Sequence, residues 1–371
     1  MSVTERPATM RGALSVETHH RLPRSAIPAW DDLVDQSPLP TPFLRSWWIE
    51  ALSGPHTRVL LVHEDDRLVG GLALERDRVL GVTRWRVVGS GKLCPDHLDL
   101  LARAGRAEAV GAALHAELTR SGSWLLDLEG VRARSMIATA WRQAGHHVEE
   151  RVVERSPFLV LPPTYDAYLA SRSKNLRSRV RKTVRRADRD GLTVRRVDND
   201  GTDWALDRFE ELNRARGDRE ELLREMPRIR RWVSHGVAAG EVRLHVAELE
   251  GRVGVVSIVL CVAGVSRNYQ TVRSLDRSFD HAASLVHLSV IADAYAQGHR
   301  EFDFLRGAER YKYSFTGDDR PVLSVRTGGG LGLLWRHVLS IATTVGREVR
   351  QRVARRKKSA PDGSNPGRER T

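Results

Sequence analysis

Two stretches of this chain, 185 residues apart, read as one unit written twice. The first runs Arg58-Val59-Leu60-Leu61-Val62, turns at Glu64-Asp65-Asp66 and returns as Arg67-Leu68-Val69-Gly70-Gly71-Leu72-Ala73-Leu74. The second runs Arg243-Leu244-His245-Val246-Ala247, turns at Leu249-Glu250-Gly251 and returns as Arg252-Val253-Gly254-Val255-Val256-Ser257-Ile258-Val259. Short β-branched runs on either side of acidic or glycine residues are hairpin signals. Each hairpin precedes an apolar stripe of helical period: Val110, Leu114 and Leu118 within 107–119, then Leu285, Leu288 and Ile291-Ala292 within 283–296. Gly122 and Gly298 stand where those helices must stop. A strand with a central acid follows each: Trp124-Leu125-Leu126-Asp127-Leu128-Glu129-Gly130 and Glu301-Phe302-Asp303-Phe304-Leu305-Arg306-Gly307. By that last strand the offset is 176, so the connecting loops differ in length. The repetition predicts an α/β (α+β) chain built from two duplicated units of about 150 residues.

Between the units, Leu176, Val180, Val184 and Ala187 form one stripe of a basic helix, with Ser171 or Ser173 as its N-cap. A further helix is expected over 204–216. Residues 331–346 read as an amphipathic helix, followed by a basic Pro/Gly/Ser tail expected to be disordered. The expected organisation is therefore a flexible start at 1–24, a first domain at 25–155, a second at 156–330, and the helix and tail at 331–371.

Charge is local. The net +13 is concentrated in residues 172–196, which contribute +9, and 347–371, which contribute +6; the rest of the chain is close to neutral. That distribution favours local anion contacts over a surface coated for nucleic acid. Cys94 and Cys261 give neither a disulfide framework nor metal-ligand spacing, and the His19-His20 and His146-His147 pairs do not supply one, so no metal is expected. The N-terminal residues lack the apolar core of a signal peptide, and no run of 18 apolar residues occurs. A cytosolic location is expected, with peripheral contact to an anionic membrane through 331–358 as an addition.

The chemistry-bearing stretch is Phe302 to Phe315. Asp303 lies among apolar neighbours, where a carboxylate needs a partner or a task. After Gly307 the chain presents Tyr311 and Lys312, a hydroxyl and a cation suited to gripping a phosphate or an oxyanion. Asp303 reads either as an acceptor's base or as a brace for the strand end. Arg306, Tyr311 and Lys312 read as a ligand grip, or as packing and solvated charge. His281 reads as a base or a cap, and Cys261, in an apolar strand, as inert packing ahead of a nucleophile.

These residues resemble a known family. The basic helix from Ser173 to Lys182, the hairpin 243–259 and the Phe302–Gly307 strand with Tyr311-Lys312 resemble the GNAT-like acetyltransferase domain of the bacterial cellulose-biosynthesis (CelD-like) family, a relative of the Fem-type aminoacyl transferases. In the first half Thr41-Pro42-Phe43, Trp47-Trp48, Gly89-Ser90 and Cys94-Pro95-Asp96-His97-Leu98-Asp99 add to it. The resemblance covers about 25–325 and implies tandem GNAT-like domains, each a mixed central sheet flanked by helices, with acyl transfer in the second. It implies acetyl-CoA or a longer acyl-CoA as donor and an amine or hydroxyl of a sugar or cell-envelope precursor as acceptor. The donor is expected at Tyr269, Arg277, Ala282, Ala283 and Ser284, catalysis at Asp303, Tyr311 and Lys312, and substrate contacts at Arg306, Lys174, Arg177 and Arg181. The loop 96–99 is expected to help choose the acceptor. Replacing Lys312 or Arg306 by Ala is expected to lower turnover without changing the melting temperature. Where the family has a glycine-rich phosphate loop, this chain has Arg277-Ser278-Phe279-Asp280-His281-Ala282-Ala283-Ser284. Two alternatives therefore stay open: a Fem-type ligase using aminoacyl-tRNA, and a non-catalytic module for envelope assembly.

Overall fold

The computed structural model describes residues 13–120 and 122–334. The expected tail, and residues 335–346 of the expected amphipathic helix, lie outside the described residues.

One mixed sheet of thirteen strands organises the chain. In the first half, β1 (Leu14–His19), α1 (Ile27–Asp35) and α2 (Ser46–Leu52) lead into β2 (Thr57–Glu64), β3 (Arg67–Val79) and β4 (Val82–Val87). The short β5 (Leu101–Ala102), α3 (Ala107–Thr119), β6 (Trp124–Arg132), α4 (Met136–Gln143) and β7 (Glu149–Val160) follow. Helices α5 (Tyr165–Ser171) and α6 (Lys174–Asp190) precede β8 (Thr193–Arg196), and α7 (Thr202–Arg214), α8 (Glu220–Arg224) and α9 (Met226–Ala238) precede β9 (Val242–Leu249). The chain continues through β10 (Arg252–Val262), β11 (Val265–Arg273), α10 (Ala282–Ala296), β12 (Glu301–Asp303) and β13 (Asp318–Gly329).

The strand order, β1-β2-β3-β4-β6-β13-β7-β12-β11-β10-β9-β8 with β5 on β3, is the same pattern read from both ends. In each half an antiparallel ribbon (β1 to β4, β8 to β11) ends in a parallel neighbour, β4 beside β6 and β11 beside β12. The last strands are exchanged. β13 pairs with β6 of the first half, β7 pairs with β12 of the second, and β7 and β13 pair with each other at the centre. The duplication read from the sequence is thus a tandem of GNAT-like mixed sheets joined edge to edge. Residues 155 and 156 both lie within β7, and the segment expected to be flexible at 1–24 contains β1, paired with β2 along its length.

Local chemistry explains the elements. The hairpin tips carry positive φ at Asp65 and at Glu250-Gly251, as the turn signals require. Ser173 caps α6, its hydroxyl accepting from Leu176 N, and Gly191 ends it in the left-handed region. The buried stripe of α6 is Leu176, Val180, Thr183 and Ala187. Val184, expected on that stripe, is 41% exposed. At 100° per residue it drifts about 80° from Leu176, whereas Thr183 stays within about 20°. The halves share one apolar core: Phe43, Trp47 and Trp48 of the first pack against Trp232 and Tyr269 of the second.

Candidate functional site

Strands β11 and β12 pair only from Val265–Glu301 to Arg267–Asp303 and then diverge. Just past that point β11 carries a bulge, because Ile258 faces Gln270 and Val259 faces Asn268, leaving Tyr269 as the extra residue. A bulge re-aims side chains and frees backbone groups, and here it opens the sheet. The N-terminal turns of α10 fill one side of the opening. The result is a cleft of about 310 Å3, lined by Gln270 to Arg273 of β11, by Ala283, Ser284 and His287 of α10, by Tyr311, by Asn213 at the end of α7, and by Arg216 and Arg219 after it.

Charge in this cleft is one-sided. Arg216, Arg219 and Arg273 are all cationic, and the acids paired with them are Asp218 and Asp280. Helix α10 adds the partial positive charge of its N-terminus. The turn before it is held by Phe279, whose ring lies where a Cβ on Gly254 would stand, 2.1 Å from the nearest ring carbon. Asp276 caps that turn through Ser278 N. Deeper in the cleft His287 stacks on Tyr311 with ring centres 5.1 Å apart and 25° between planes. Burial, and secondarily Lys312, push the His287 imidazole down to about 4, so it is neutral at pH 7. Burial raises the Tyr311 phenol, which stays protonated.

The structure brings some of the expected site residues to the cleft and places others elsewhere. Ala283, Ser284 and Tyr311 line it, and Ala282 is buried directly behind them. Tyr269 points away: its hydroxyl donates to Leu93 O and its ring joins the shared aromatic core. Arg277 is exposed on the turn before α10. Lys174 and Arg181 are exposed on α6, and Arg177 turns back to donate to Ala170 O and Arg172 O. Further along α6, Arg186 hydrogen-bonds His281 at the start of α10, so the basic face reaches the cleft's edge.

Asp303, Arg306 and Lys312, expected to meet substrate, are built into the frame instead. Asp303 is fully buried; it accepts from Ser156 Oγ at 2.8 Å and Leu305 N at 2.7 Å and pairs with His97 Nε2 at 2.9 Å. Burial alone would raise its pKa, but His97, Arg320 and Arg267 outweigh it and hold the carboxyl well below the usual range. A carboxylate so satisfied is a poor base. Arg306 donates from Nε to Asp96 at 2.6 Å, from Nη1 to Glu129 and from Nη2 to Pro95 O. Lys312 is 4% exposed, its Nζ donating to Leu305 O and Arg306 O. The loop 96–99 is also consumed internally. Asp96 holds Arg306, His97 holds Asp303, and Asp99 accepts from Met136 N and Ile137 N at the start of α4. Gly130 permits the approach, because a Cβ there would meet Pro95 O at 1.9 Å, and its φ is +90°.

The first half has its own opening between β4 and β6, a cleft of about 430 Å3 with Arg84, Arg86, Lys92, Arg306 and Arg326 on its walls. Each of these cations is paired with an acid: Asp77, Glu75, Glu221, Asp96 and Asp127 respectively. The two central acids of the repeated strands have equivalent tasks. Asp127 grips Arg326 of the exchanged β13, and Asp303 grips Ser156 of the exchanged β7. Cys261 is buried and its thiol is pushed up by burial, as inert packing requires. Among the described residues no cluster of metal-ligating side chains occurs and no helix is long and apolar enough to cross a membrane.

Sequence reasoning passed over His287, Asn213, Arg216 and Arg219. His287 had a signal, since it lies four residues after Ala283 on the same helical face. The arginines flank a glycine turn at Gly217, and only the fold brings that turn to α10.

Comparison with known proteins agrees with this geometry. Residues 174–313 match the family described as acetyltransferase (GNAT) domain, a span that contains every residue lining the β11–α10 cleft. The crystal structure of FemX superposes with a TM-score of 0.62 at 14% identity, covering 87% of this chain and 99% of that one. A conserved protein of unknown function from Bacteroides thetaiotaomicron VPI-5482 superposes with a TM-score of 0.59 at 8% identity, covering 84% and 99%. At such identities these two likenesses are of fold alone. No curated protein sequence matches the chain. The second half of this protein is therefore similar to a GNAT acetyltransferase domain, within a fold of two such mixed sheets.

Proposed function

We propose that the β11–α10 cleft binds an acyl-CoA, acetyl-CoA first, and that the protein transfers its acyl group to an amine or hydroxyl of a sugar or cell-envelope precursor. The observation that carries this reading is the one-sided charge of a cleft formed where β11 and β12 part. Arginines and a helix N-terminus stand at one side, suited to phosphates, and the buried His287 stacked on the partly exposed Tyr311 lies beyond, suited to the thioester arm. The acceptor nitrogen or oxygen attacks the thioester carbonyl, the carbon–sulfur bond breaks, and the thiolate takes up the proton released by the acceptor. Backbone amides on the open edge of β11 hold the oxyanion, and Tyr311 relays the proton: its phenol protonates sulfur and the phenolate regains the proton that the acceptor releases. Asp303, Arg306 and Lys312 serve by fixing the 303–312 turn that carries Tyr311.

The test is release of free coenzyme A from acetyl-CoA against a panel of amino sugars and envelope precursors. Acceptor-dependent thiol release supports the reading; no release with any acyl-CoA and any amine rejects it.

One observation favours aminoacyl-tRNA as donor instead: the basic face of α6 meets the edge of the same cleft through Arg186 and His281. In that case binding of tRNA weakens steeply with salt, and Lys174, Arg181 and Arg186 set the slope.

A further inference from the structure

His287 is 5% exposed, lies in the floor of the cleft, and its Nε2 has no hydrogen-bond partner among the described residues. A buried nitrogen left unpaired is unfavourable, so a ligand group that pairs with it is favoured. Its ring is fixed in place, stacked on Tyr311 and met edge-on by Phe304 and Phe315 at centre distances of 6.3 and 5.9 Å. Ala283, one turn earlier on α10, lines the same cleft nearer its mouth and is only half-buried. The cleft thus runs from arginines, past a small residue, to the His287 imidazole, whose Nε2 is covered and unpaired.

We propose that His287 is the positioning residue for the uncharged arm of the donor: its Nε2 hydrogen-bonds an amide or the thioester carbonyl of that arm, placing the reacting carbon beside Tyr311. The assignment rests on the acyl-CoA reading of the cleft. Neutrality suits the task, since a neutral imidazole has one donor and one acceptor nitrogen and matches an amide without adding charge. The mouth arginines and the imidazole then divide recognition: phosphates outside, pantetheine and acyl groups inside.

The experiment compares His287→Phe with His287→Gln in the full chain. Phe keeps the stacking on Tyr311 and removes the nitrogen; Gln carries an amide to about the reach of Nε2. Calorimetric titrations use acetyl-CoA and, separately, adenosine 3′,5′-bisphosphate, which has the phosphates and no arm. For His287→Phe the expected results are an unchanged or raised melting temperature, acetyl-CoA binding weaker by about tenfold and bisphosphate binding unchanged. His287→Gln is expected to restore acetyl-CoA binding to within about threefold of the unaltered protein. The proposal is overturned if His287→Phe binds acetyl-CoA normally, loses bisphosphate to the same degree, or unfolds while His287→Gln also fails to bind. If the unaltered protein binds neither ligand, the donor reading itself falls and this assignment with it.

Discussion

At the scale of single residues, the groups that looked most reactive in the sequence are the ones most fully engaged in the structure. Asp96 is completely buried and its charge is answered by Arg306. Arg306→Ala is therefore expected to cost about 3–5 kcal/mol of stability, because it strands a buried carboxylate. Denaturant unfolding measures it, and an unchanged midpoint contradicts the bracing role. This differs from the expectation drawn from sequence, in which Arg306 contacts substrate and its replacement by Ala leaves the melting temperature unchanged. Asp303→Asn is expected to lose about 1–3 kcal/mol through the Ser156 and His97 contacts, with acyl-CoA affinity following stability only. The segment 302–315 was legible as important and illegible in role. Whether a carboxylate grips substrate or a neighbouring strand depends on His97 and Ser156, distant in sequence by 206 and 147 residues.

At the scale of elements, local pattern carried most of the information. Helix α3 occupies 107–119 as its period requires, α10 begins one residue before the expected start, and both hairpins turn at the expected tips. What local pattern does not contain is the seat of each element. Helix α10 is held by the turn whose Phe279 lies against Gly254. Gly254→Ala is expected to push that ring aside, destabilising by about 1–3 kcal/mol and weakening anion binding at the start of α10; unfolding and titration together check it. Histidines add a pH dependence. Burial lowers both His245 and His287 from 6.5 to about 4. Between those values the unfolded chain binds more protons than the folded one, so stability falls as pH drops from about 6.5 towards 4. Each histidine contributes a slope of up to about 1.4 kcal/mol per pH unit, and His287→Phe is expected to flatten the melting-temperature profile over that interval. An unaltered profile in that variant would refute the neutral, buried imidazole.

At the scale of the whole molecule, the duplicated unit was readable and the exchange of last strands was not. Strands β7 and β13 carry little apolar alternation, and their partners are set by pairings such as Asp318–Phe158 and Arg326–Asp127 between residues far apart in the chain. Such non-local pairing has no short-range signature. Because each half supplies a strand to the other and both share one core, a single cooperative unfolding transition is expected. A fragment ending before β7 is expected not to fold, by circular dichroism and proton exchange; a stable, structured fragment contradicts this. The central claim concerns the cleft where β11 leaves β12. Its most direct test is calorimetric titration of the full chain with acetyl-CoA, beside Ala283→Asp, which sets a carboxylate at a helix N-terminus that tolerates it and beside the path of the ligand's phosphates. The account predicts micromolar binding by the unaltered protein, lost in Ala283→Asp at an unchanged melting temperature. No binding by the unaltered protein, or equal binding by both, contradicts it.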